Sequence, residues 1–342
     1  MTLLPDWPRA WGEPPVAATL RAVPADFTVE EELGFEVSGA GEHCWLWVEK
    51  ENLNTADAAQ RLARFAGLRE RDISYAGLKD RNAIARQWFS LHLLNREVDW
   101  ASWNDPALRL LRVERHNRKL RRGAHRGNRF DIVLRDVRGD IDALTERLQR
   151  IGGQGVPNYF GEQRFGRDGR NVESARAWIA GGRRRLKAHQ EGLHFSSLRA
   201  YLFNRVLAER VEQGNWNVPL AGEVFMLDGS ASVFREATDD TLRERVERGD
   251  LHLTGPLPGR AAGLAPEAEV AALEQRCLDE DEALVQALAA AGVDAARRSL
   301  RLRPAVWSWE PLGADAWRLR FALPSGCFAT GVVRELARLD PS

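Results

Sequence analysis

Hydrophobic and polar positions alternate through the first third of this chain, as they do in β-strands. Residues 17–50 include FTVEEELGFEV, a glycine turn at Gly39–Gly41, and HCWLWVEK. Period-two alternation on both sides of a glycine turn predicts a β-hairpin. The next segment, TADAAQRLARFA, repeats apolar residues at helical spacing and opens with Thr55, which predicts a helix with a threonine N-cap.

Strand-like and helical segments then follow in an order that predicts a domain with an insertion. RFDIVLRDV predicts a strand, and IDALTERLQRIG predicts a helix that ends at Gly152-Gly153. The middle of the chain is helical in pattern, for example in SSLRAYLFNRVLAERV, and strand-like sequence returns with AVWSWE and AWRLRFALPSGCFATGVVREL. A β-rich chain interrupted by helices predicts an α+β fold in which one domain carries an α-rich α+β insert.

The composition is that of an ordinary globular protein. The chain has 342 residues, 44% of them hydrophobic and 29% charged, which predicts about two domains. No stretch approaches the roughly 18 apolar residues of a membrane span, and the N-terminus lacks the pattern of a secretory signal. Cys44, Cys277 and Cys327 are scattered, which argues against a disulfide framework and a zinc site and favours a reducing cytoplasm.

The formal net charge of zero conceals blocks of opposite sign. Residues 109–129 hold nine Lys/Arg and one acid, and residues 164–187 hold eight Lys/Arg and two acids. Residues 267–282 reverse the balance, with seven acids and one base, and should face away from a polyanion. Basic residues interleaved with His, Asn and Phe are typical of nucleic-acid binding. On charge alone, a solvated basic hairpin explains the first block equally well.

A candidate catalytic acid lies in SYAGLKDRNAIARQWFS, immediately after a turn. Asp80 is flanked by Lys79 and Arg81, and this positive charge favours the ionised carboxylate. An ionised aspartate can act as a nucleophile or a general base. Taken alone, such a triplet is more often a surface turn. The chain has no metal-ligand histidine spacing, no glycine-rich phosphate loop and no G-x-S-x-G motif, so we expect neither a metal nor an organic cofactor.

Five motifs in order resemble the TruD family of tRNA pseudouridine synthases, which modify uridine 13. They are DFTVEE, YAGLKDRNAIARQW, HNRKLRRGAHRGNRF, VPNYFGEQRFG and LPSGCFATGVVRE. The resemblance implies a pseudouridine-synthase catalytic domain with a mixed or antiparallel sheet at residues 1–153 and 303–342. It implies an inserted domain, characteristic of this family, at residues 154–302.

The resemblance also implies the site residues and the partner. Asp80 is the expected catalytic aspartate. The residues expected to bind the substrate base or line the same site are Phe27, Asn128, Phe328, Glu30, Lys79 and Phe130. The basic residues expected to contact the RNA backbone are Arg21, Lys119, Arg121, Arg122 and Arg126. We expect tRNA as the partner, no cofactor, no membrane, no obligate protein partner and a cytoplasmic monomer.

Several alternatives stay open at this level. Asp80 can attack the sugar C1′ or the base C6, or remove the C2′ proton. A non-catalytic RNA-binding protein is one rival interpretation, and a base-excising hydrolase that uses Glu30 as its second carboxylate is another. This chain has Ala85, Arg21 and Asn82 where family members often have Thr, Lys and His, which affects loop detail more than the aspartate itself.

Overall fold

The computed structural model describes residues 4–93, 96–183, 185–261 and 263–340. These residues divide into two compact units. The sheet unit comprises residues 15–145, 304–326 and 337–340, and the helical unit comprises residues 4–14, 146–303 and 327–336. No helix among the described residues is both long and apolar enough to span a membrane.

Strands and helices are both well represented, which confirms the predicted α+β class. The strands are β1 (Val16–Leu20), β2 (Phe27–Glu32), β3 (His43–Glu51), β4 (Ile73–Tyr75), β5 (Ile84–His92), β6 (Leu108–His116), β7 (Gly127–Gly139), β8 (Val156–Pro157), β9 (Val224–Leu227), β10 (Val233–Arg235), β11 (Leu251–Leu257), β12 (Ala296–Ser299), β13 (Arg301–Leu302), β14 (Ala305–Pro311), β15 (Trp317–Pro324) and β16 (Ala337–Leu339). The helices are α1 (Thr55–Phe65), α2 (Ile141–Gln154), α3 (Arg170–Ala180), α4 (Ala188–Glu212), α5 (Asp240–Arg248), α6 (Ala268–Leu278), α7 (Glu282–Ala290) and α8 (Ala329–Leu336).

The sheet unit is built on one mixed sheet. Its main path runs in the order β14-β15-β7-β2-β5-β3-β6, with β1, β16 and β4 paired at the sides. β2 pairs in parallel with β5 and antiparallel with β7. Because successive side chains of a strand point to opposite faces, Phe27, Val29 and Glu31 share one face of the sheet. We call this the inner face, and the face that carries Thr28, Glu30 and Glu32 the outer face.

The predicted hairpin between β2 and β3 is wrong. Both segments are strands, but β5 lies between them and pairs with each. The glycine turn instead approaches the end of β6, where Ser38 N donates to His116 Nδ1 at 3.0 Å. Gly41 has a φ of +129°, and a Cβ there would lie 2.4 Å from the main-chain oxygen of His116. The glycine is therefore needed for close backbone packing and not for a two-strand turn.

Two predicted helix ends lie elsewhere. Asn54, not Thr55, occupies the N-cap of α1, because the Thr55 hydroxyl has other partners described below. α2 continues through Gly152 and Gly153 to Gln154. It ends where Gly155 adopts a φ of +80° and donates its N–H to Ile151 O, which is the left-handed geometry that glycine favours after a helix.

The helical unit has its own core around α4, the longest helix. Leu198, Leu202, Phe203 and Leu207 of α4 are fully buried in that core. A four-stranded sheet in the order β10-β9-β11-β12 belongs to the same unit. The alanine-rich segment predicted as helical forms two helices, α6 and α7, separated by a short turn. The strand-like pattern predicted to run to the end of GVVREL gives way to helix α8.

Candidate active site

The loop that carries Asp80 lies between β4 and β5 and is fixed to the inner face of the sheet. Lys79 N donates to Thr55 Oγ1 at 2.9 Å, and that hydroxyl donates to Gln87 Oε1 at 3.0 Å. The Gln87 amide donates to Gly77 O at 3.2 Å. Thr55 and Gln87 are buried. Because this hydrogen-bonded chain joins the loop to α1 and β5, the position of Asp80 is set by the core beneath it.

The Asp80 carboxylate forms an ion pair with Arg21. Arg21 Nη2 lies 2.5 Å from Asp80 Oδ2, and the carboxylate side chain is 38% exposed. Arg21 has a φ of +64°, which a non-glycine residue rarely adopts. Its guanidinium lies 4.1 Å from the centre of the Phe27 ring. Asp80 Oδ1 accepts no hydrogen bond from a described residue, so one oxygen is anchored and the other is available.

Arg21 was predicted to contact the RNA backbone, and its placement differs from that of a free surface cation. Its guanidinium is engaged with Asp80 on one side and with the Phe27 ring on the other. Sequence spacing gave no signal for this pairing, because 59 residues separate the two partners. The local structure therefore places the Arg21 guanidinium on the Asp80 carboxylate.

A buried lysine that the sequence analysis missed also contacts this loop. Lys50 is 0% exposed, and its Nζ donates to the main-chain oxygen of Asp80 at 2.6 Å. Burial, the largest cause, lowers the pKa of Lys50 to about 8; Asp80 raises it and Lys79 lowers it further. The inward positions of β3 are Cys44, Leu46, Val48 and Lys50. The sequence signal for a buried lysine was therefore its place at the end of an alternating apolar series.

Lys79 pairs with Glu31 and not with Glu30. Lys79 Nζ lies 3.0 Å from Glu31 Oε2, and the two side chains are 5% and 0% exposed. Burial raises the pKa of Glu31 against the opposing effect of Lys79. Glu30 lies on the outer face, where its carboxylate is 3.0 Å from Arg86. The structure therefore does not bring Glu30 to the side of the sheet that carries Lys79 and Phe27.

Three of the predicted substrate-site residues, Phe27, Asn128 and Phe130, share the inner face. Register pairs β2 with β7 so that Val29 lies opposite Phe130 and Glu31 lies opposite Asn128. Phe27 and Phe130 meet edge to face with centroids 6.0 Å apart. Asn128 is buried, and its Oδ1 has no hydrogen-bond partner among the described residues. An amide oxygen without a partner can accept a hydrogen bond from a ligand donor.

Phe328 belongs to the helical unit. Its ring lies 6.5 Å from that of Phe160 at an angle of 62°, and it packs on the core of that unit. A Cβ on Gly161 would lie 2.8 Å from Gln163 Oε1 and 3.3 Å from the Phe328 ring, so both side chains pack closely against this glycine. The acidic segment 267–282 lies in the same unit, on and between α6 and α7.

His125 is a further neighbour of the Asp80 loop that the sequence analysis did not select. Its Nε2 lies 3.1 Å from Ser325 Oγ. Burial, and to a lesser degree Lys79, lowers the pKa of His125 to about 4, so the imidazole is neutral at physiological pH. A Cβ on Gly77 would approach His125 Cε1 to 3.2 Å. The ring therefore packs closely against the start of the Asp80 loop.

The basic segment between β6 and β7 is anchored by its backbone and directs its cations to solvent. Trp45 Nε1 donates to Arg118 O at 3.0 Å, and Gly123 N donates to Ala76 O at 2.8 Å. Leu120 is buried between these anchors. The exposed cations of this segment are Arg118, Lys119, Arg121, Arg122 and Arg126. None of the five forms an ion pair with a described carboxylate, so their charges are available to an anionic partner.

Comparisons with known proteins agree over nearly the full length. The family model described as tRNA pseudouridine synthase D (TruD) matches residues 9–182 and 172–336. The tRNA pseudouridine synthase D of Stutzerimonas stutzeri is 48% identical over 333 residues, covering 97% of this chain and 96% of that one. The protein of the same name from Hydrogenovibrio crunogenus is 43% identical over 328 residues, covering 96% of this chain and 94% of that one.

The fold is also that of a solved structure. A protein from Methanosarcina mazei that was assigned as tRNA pseudouridine synthase D superimposes with a TM-score of 0.73 at 19% sequence identity. The superposition covers 98% of this chain and 96% of that one. Together with the motifs noted above, the family match and the identities show that this chain belongs to the tRNA pseudouridine synthase D (TruD) family.

Proposed function

We propose that this enzyme isomerises uridine to pseudouridine at position 13 of tRNA, with Asp80 as the catalytic carboxylate. One observation carries the assignment: Asp80 is held by Arg21 through one oxygen, with the other oxygen unengaged, on a loop fixed to the inner face. The reaction breaks the bond between C1′ and N1, joins C1′ to C5, removes the proton from C5 and leaves a proton on N1, so that substrate and product have the same composition. An ionised aspartate can supply the nucleophile or the base that these steps need.

The target base must leave its stack to reach Asp80. Flipping costs a few kcal/mol, and stacking on an aromatic ring returns about 1–3 kcal/mol per base. In the sheet unit, Phe27 is the ring that we propose for this stacking, and the role expected of Phe328 stays a prediction. The Arg21 guanidinium covers one face of Phe27, so a base that stacks on that face must displace it. The open Oδ1 of Asn128 would accept a hydrogen bond from the uracil edge, and Lys79 and Phe130 would line the same site.

The exposed cations between β6 and β7 supply a surface for the tRNA backbone. Lys119, Arg121, Arg122 and Arg126 are unpaired among the described carboxylates and lie on the segment that leads into Asn128. Neutralising a phosphate releases counterions, so each contact adds to the salt dependence of binding. We further propose that residues 154–302, as an inserted domain between the catalytic segments 1–153 and 303–342, hold the body of the tRNA, and that the enzyme acts as a monomer in the cytoplasm.

Arg121→Ala is expected to weaken tRNA binding and to reduce its salt dependence. Losing one phosphate contact makes the negative slope of log K against log salt shallower by about 0.7–0.9. The measurement is tRNA affinity by filter binding across a series of salt concentrations. Arg61→Ala is the matched control, because Arg61 already pairs with Asp105 at 2.9 Å. An unchanged slope for Arg121→Ala would remove this residue from the RNA surface.

The hydrolase alternative requires a second carboxylate, and the structure does not place the predicted one, Glu30, on the inner face. A glycosidase-like cleavage needs two acids flanking the scissile bond, and Glu30 was the candidate. Glu30 lies on the outer face and is paired with Arg86, while Glu31 on the inner face is paired with Lys79. These contacts support isomerisation over base excision.

The proposed reaction is tested by mapping pseudouridine in unmodified tRNA transcripts by mass spectrometry after incubation with the enzyme. We expect pseudouridine at position 13, none in a matched transcript with cytidine at that position, and no free uracil. Binding without any product would favour an RNA-binding protein on the same scaffold. Release of free uracil would instead identify a hydrolase.

A further inference from the structure

Lys50 is a fully buried lysine that has no carboxylate partner in the part of the chain that the structure describes. Its side chain is 0% exposed on the inner face of β3. Its one hydrogen bond among the described residues is to the main-chain oxygen of Asp80, at 2.6 Å. No described carboxylate oxygen lies within salt-bridge distance of its ammonium. Burying an ammonium without a counter-ion costs folding free energy, so packing alone does not explain a lysine at this position.

The residues directly across from Lys50 in the sheet are apolar. β5 presents Ala85 directly across from it on one side, and β6 presents Leu108 on the other. The charged groups that act on it are Asp80, which favours its protonated form, and Lys79, which opposes it. Its neighbours in the chain, Glu49 and Glu51, project to the opposite face, and Glu49 pairs there with Arg86 and Arg109. Among the residues that the structure describes, the amine therefore bonds only to the Asp80 loop.

We propose that Lys50 is a positioning residue, whose protonated amine holds the Asp80 backbone and thereby fixes the direction of the catalytic carboxylate. The inference rests on the proposed role of Asp80. Arg21 holds the carboxylate from its exposed side, and Lys50 holds the main chain of the same residue from the core. With both contacts in place, the free carboxylate oxygen keeps one orientation toward the substrate. A displacement of about 1 Å in a catalytic group can cost about 100-fold in rate.

The test compares Lys50→Met with Val48→Ala in single-turnover assays on tRNA. Methionine retains the length of the side chain without the charge. Val48 is also 0% exposed and lies two residues away on the same face, so its truncation reports on core damage alone. We expect Lys50→Met to react roughly 10- to 100-fold more slowly at pH 7, with unchanged tRNA affinity. Val48→Ala should react at the wild-type rate even where its thermal midpoint is lower.

The pH profile gives a readout that core damage would not alter. The pKa of Lys50 is about 8, so the amine is protonated below that pH and loses its proton above it. The wild-type rate should fall as pH rises through about 8, while the Lys50→Met rate should not show this fall. A wild-type rate that stays level from pH 7 to pH 9 would overturn the proposal, even if Lys50→Met failed to fold.

The remaining outcomes separate this inference from the proposed function. An inactive Asp80→Asn together with a Lys50→Met rate within threefold of wild type would leave Asp80 in place and refute the role of Lys50. An active Asp80→Asn would refute the proposed function itself, whatever Lys50→Met did. Equal losses of rate in Lys50→Met and Val48→Ala would refute the positioning role and show that Lys50 acts only through core packing.

Discussion

Replacing Asp80 by asparagine is expected to lower the single-turnover rate of pseudouridine formation by about 1,000-fold or more. Asparagine has nearly the same shape and can still accept the hydrogen bond from Arg21, which lies 2.5 Å from Oδ2 in the wild type. It has no negative charge and cannot act as the nucleophile or the base. The loss should therefore fall on the chemical step, measured with enzyme in excess over a single tRNA.

Two controls define this prediction. Asp105→Asn makes the same chemical change at an aspartate that pairs with Arg61 on the surface, and its rate should match the wild type. The affinity of Asp80→Asn for tRNA should be unchanged or slightly tighter, because one negative charge near phosphates is removed. A rate for Asp80→Asn within tenfold of the wild type would take Asp80 out of the reaction.

Lys79→Met is expected to lower the free energy of unfolding by about 3–5 kcal/mol at pH 7. The Lys79–Glu31 pair is almost wholly buried, with 3.0 Å between its charged atoms, so the substitution leaves the Glu31 carboxylate in the core without its cation. The measurement is urea unfolding. The double variant Lys79→Met/Glu31→Gln should recover part of the loss, because the orphaned charge is gone.

The effect of Lys79→Met should depend on pH in a defined direction. Burial already raises the pKa of Glu31 above its ordinary value of 4.5, and Lys79 opposes that rise. Without Lys79, the folded state retains the Glu31 proton at pH values where the unfolded state has lost it. Stability of the variant relative to wild type should therefore fall as pH rises through the wild-type pKa of Glu31, which already lies above 4.5, and the difference should be smallest at lower pH, where Glu31 is protonated in both proteins. A loss under about 1 kcal/mol, independent of pH, would mean that the pair behaves as a solvated one.

Local patterns in the sequence predicted the strands well. The same patterns also indicate which side chains face the site, beyond those that the motifs singled out. The alternation in FTVEEE places Phe27, Val29 and Glu31 on one face, so Glu31 is the acid on the side of Phe27. The same period in HCWLWVEK makes Lys50 an inward residue. Both assignments follow from the two-residue period of side chains in a strand. The family resemblance pointed to Glu30 and therefore did not suggest them.

The contacts between distant segments could not be predicted in the same way. β2 and β3 are neighbours in sequence, yet β5 pairs with both of them. Thr55 resembles an N-cap residue, but its hydroxyl is used by Lys79 and Gln87. The ion pair of Arg21 with Asp80 likewise joins positions 59 residues apart. These pairings depend on how the chain packs as a whole, and no short-range pattern encodes them.

The catalytic role of Asp80 is tested most directly by prolonged incubation of one unmodified tRNA with wild type and with Asp80→Asn in parallel, followed by mass-resolved mapping of pseudouridine. We expect pseudouridine at position 13 with the wild type and none with the variant, although the variant binds the same tRNA. Pseudouridine at position 13 with both proteins would refute this role, because the reaction would then proceed without the Asp80 carboxylate.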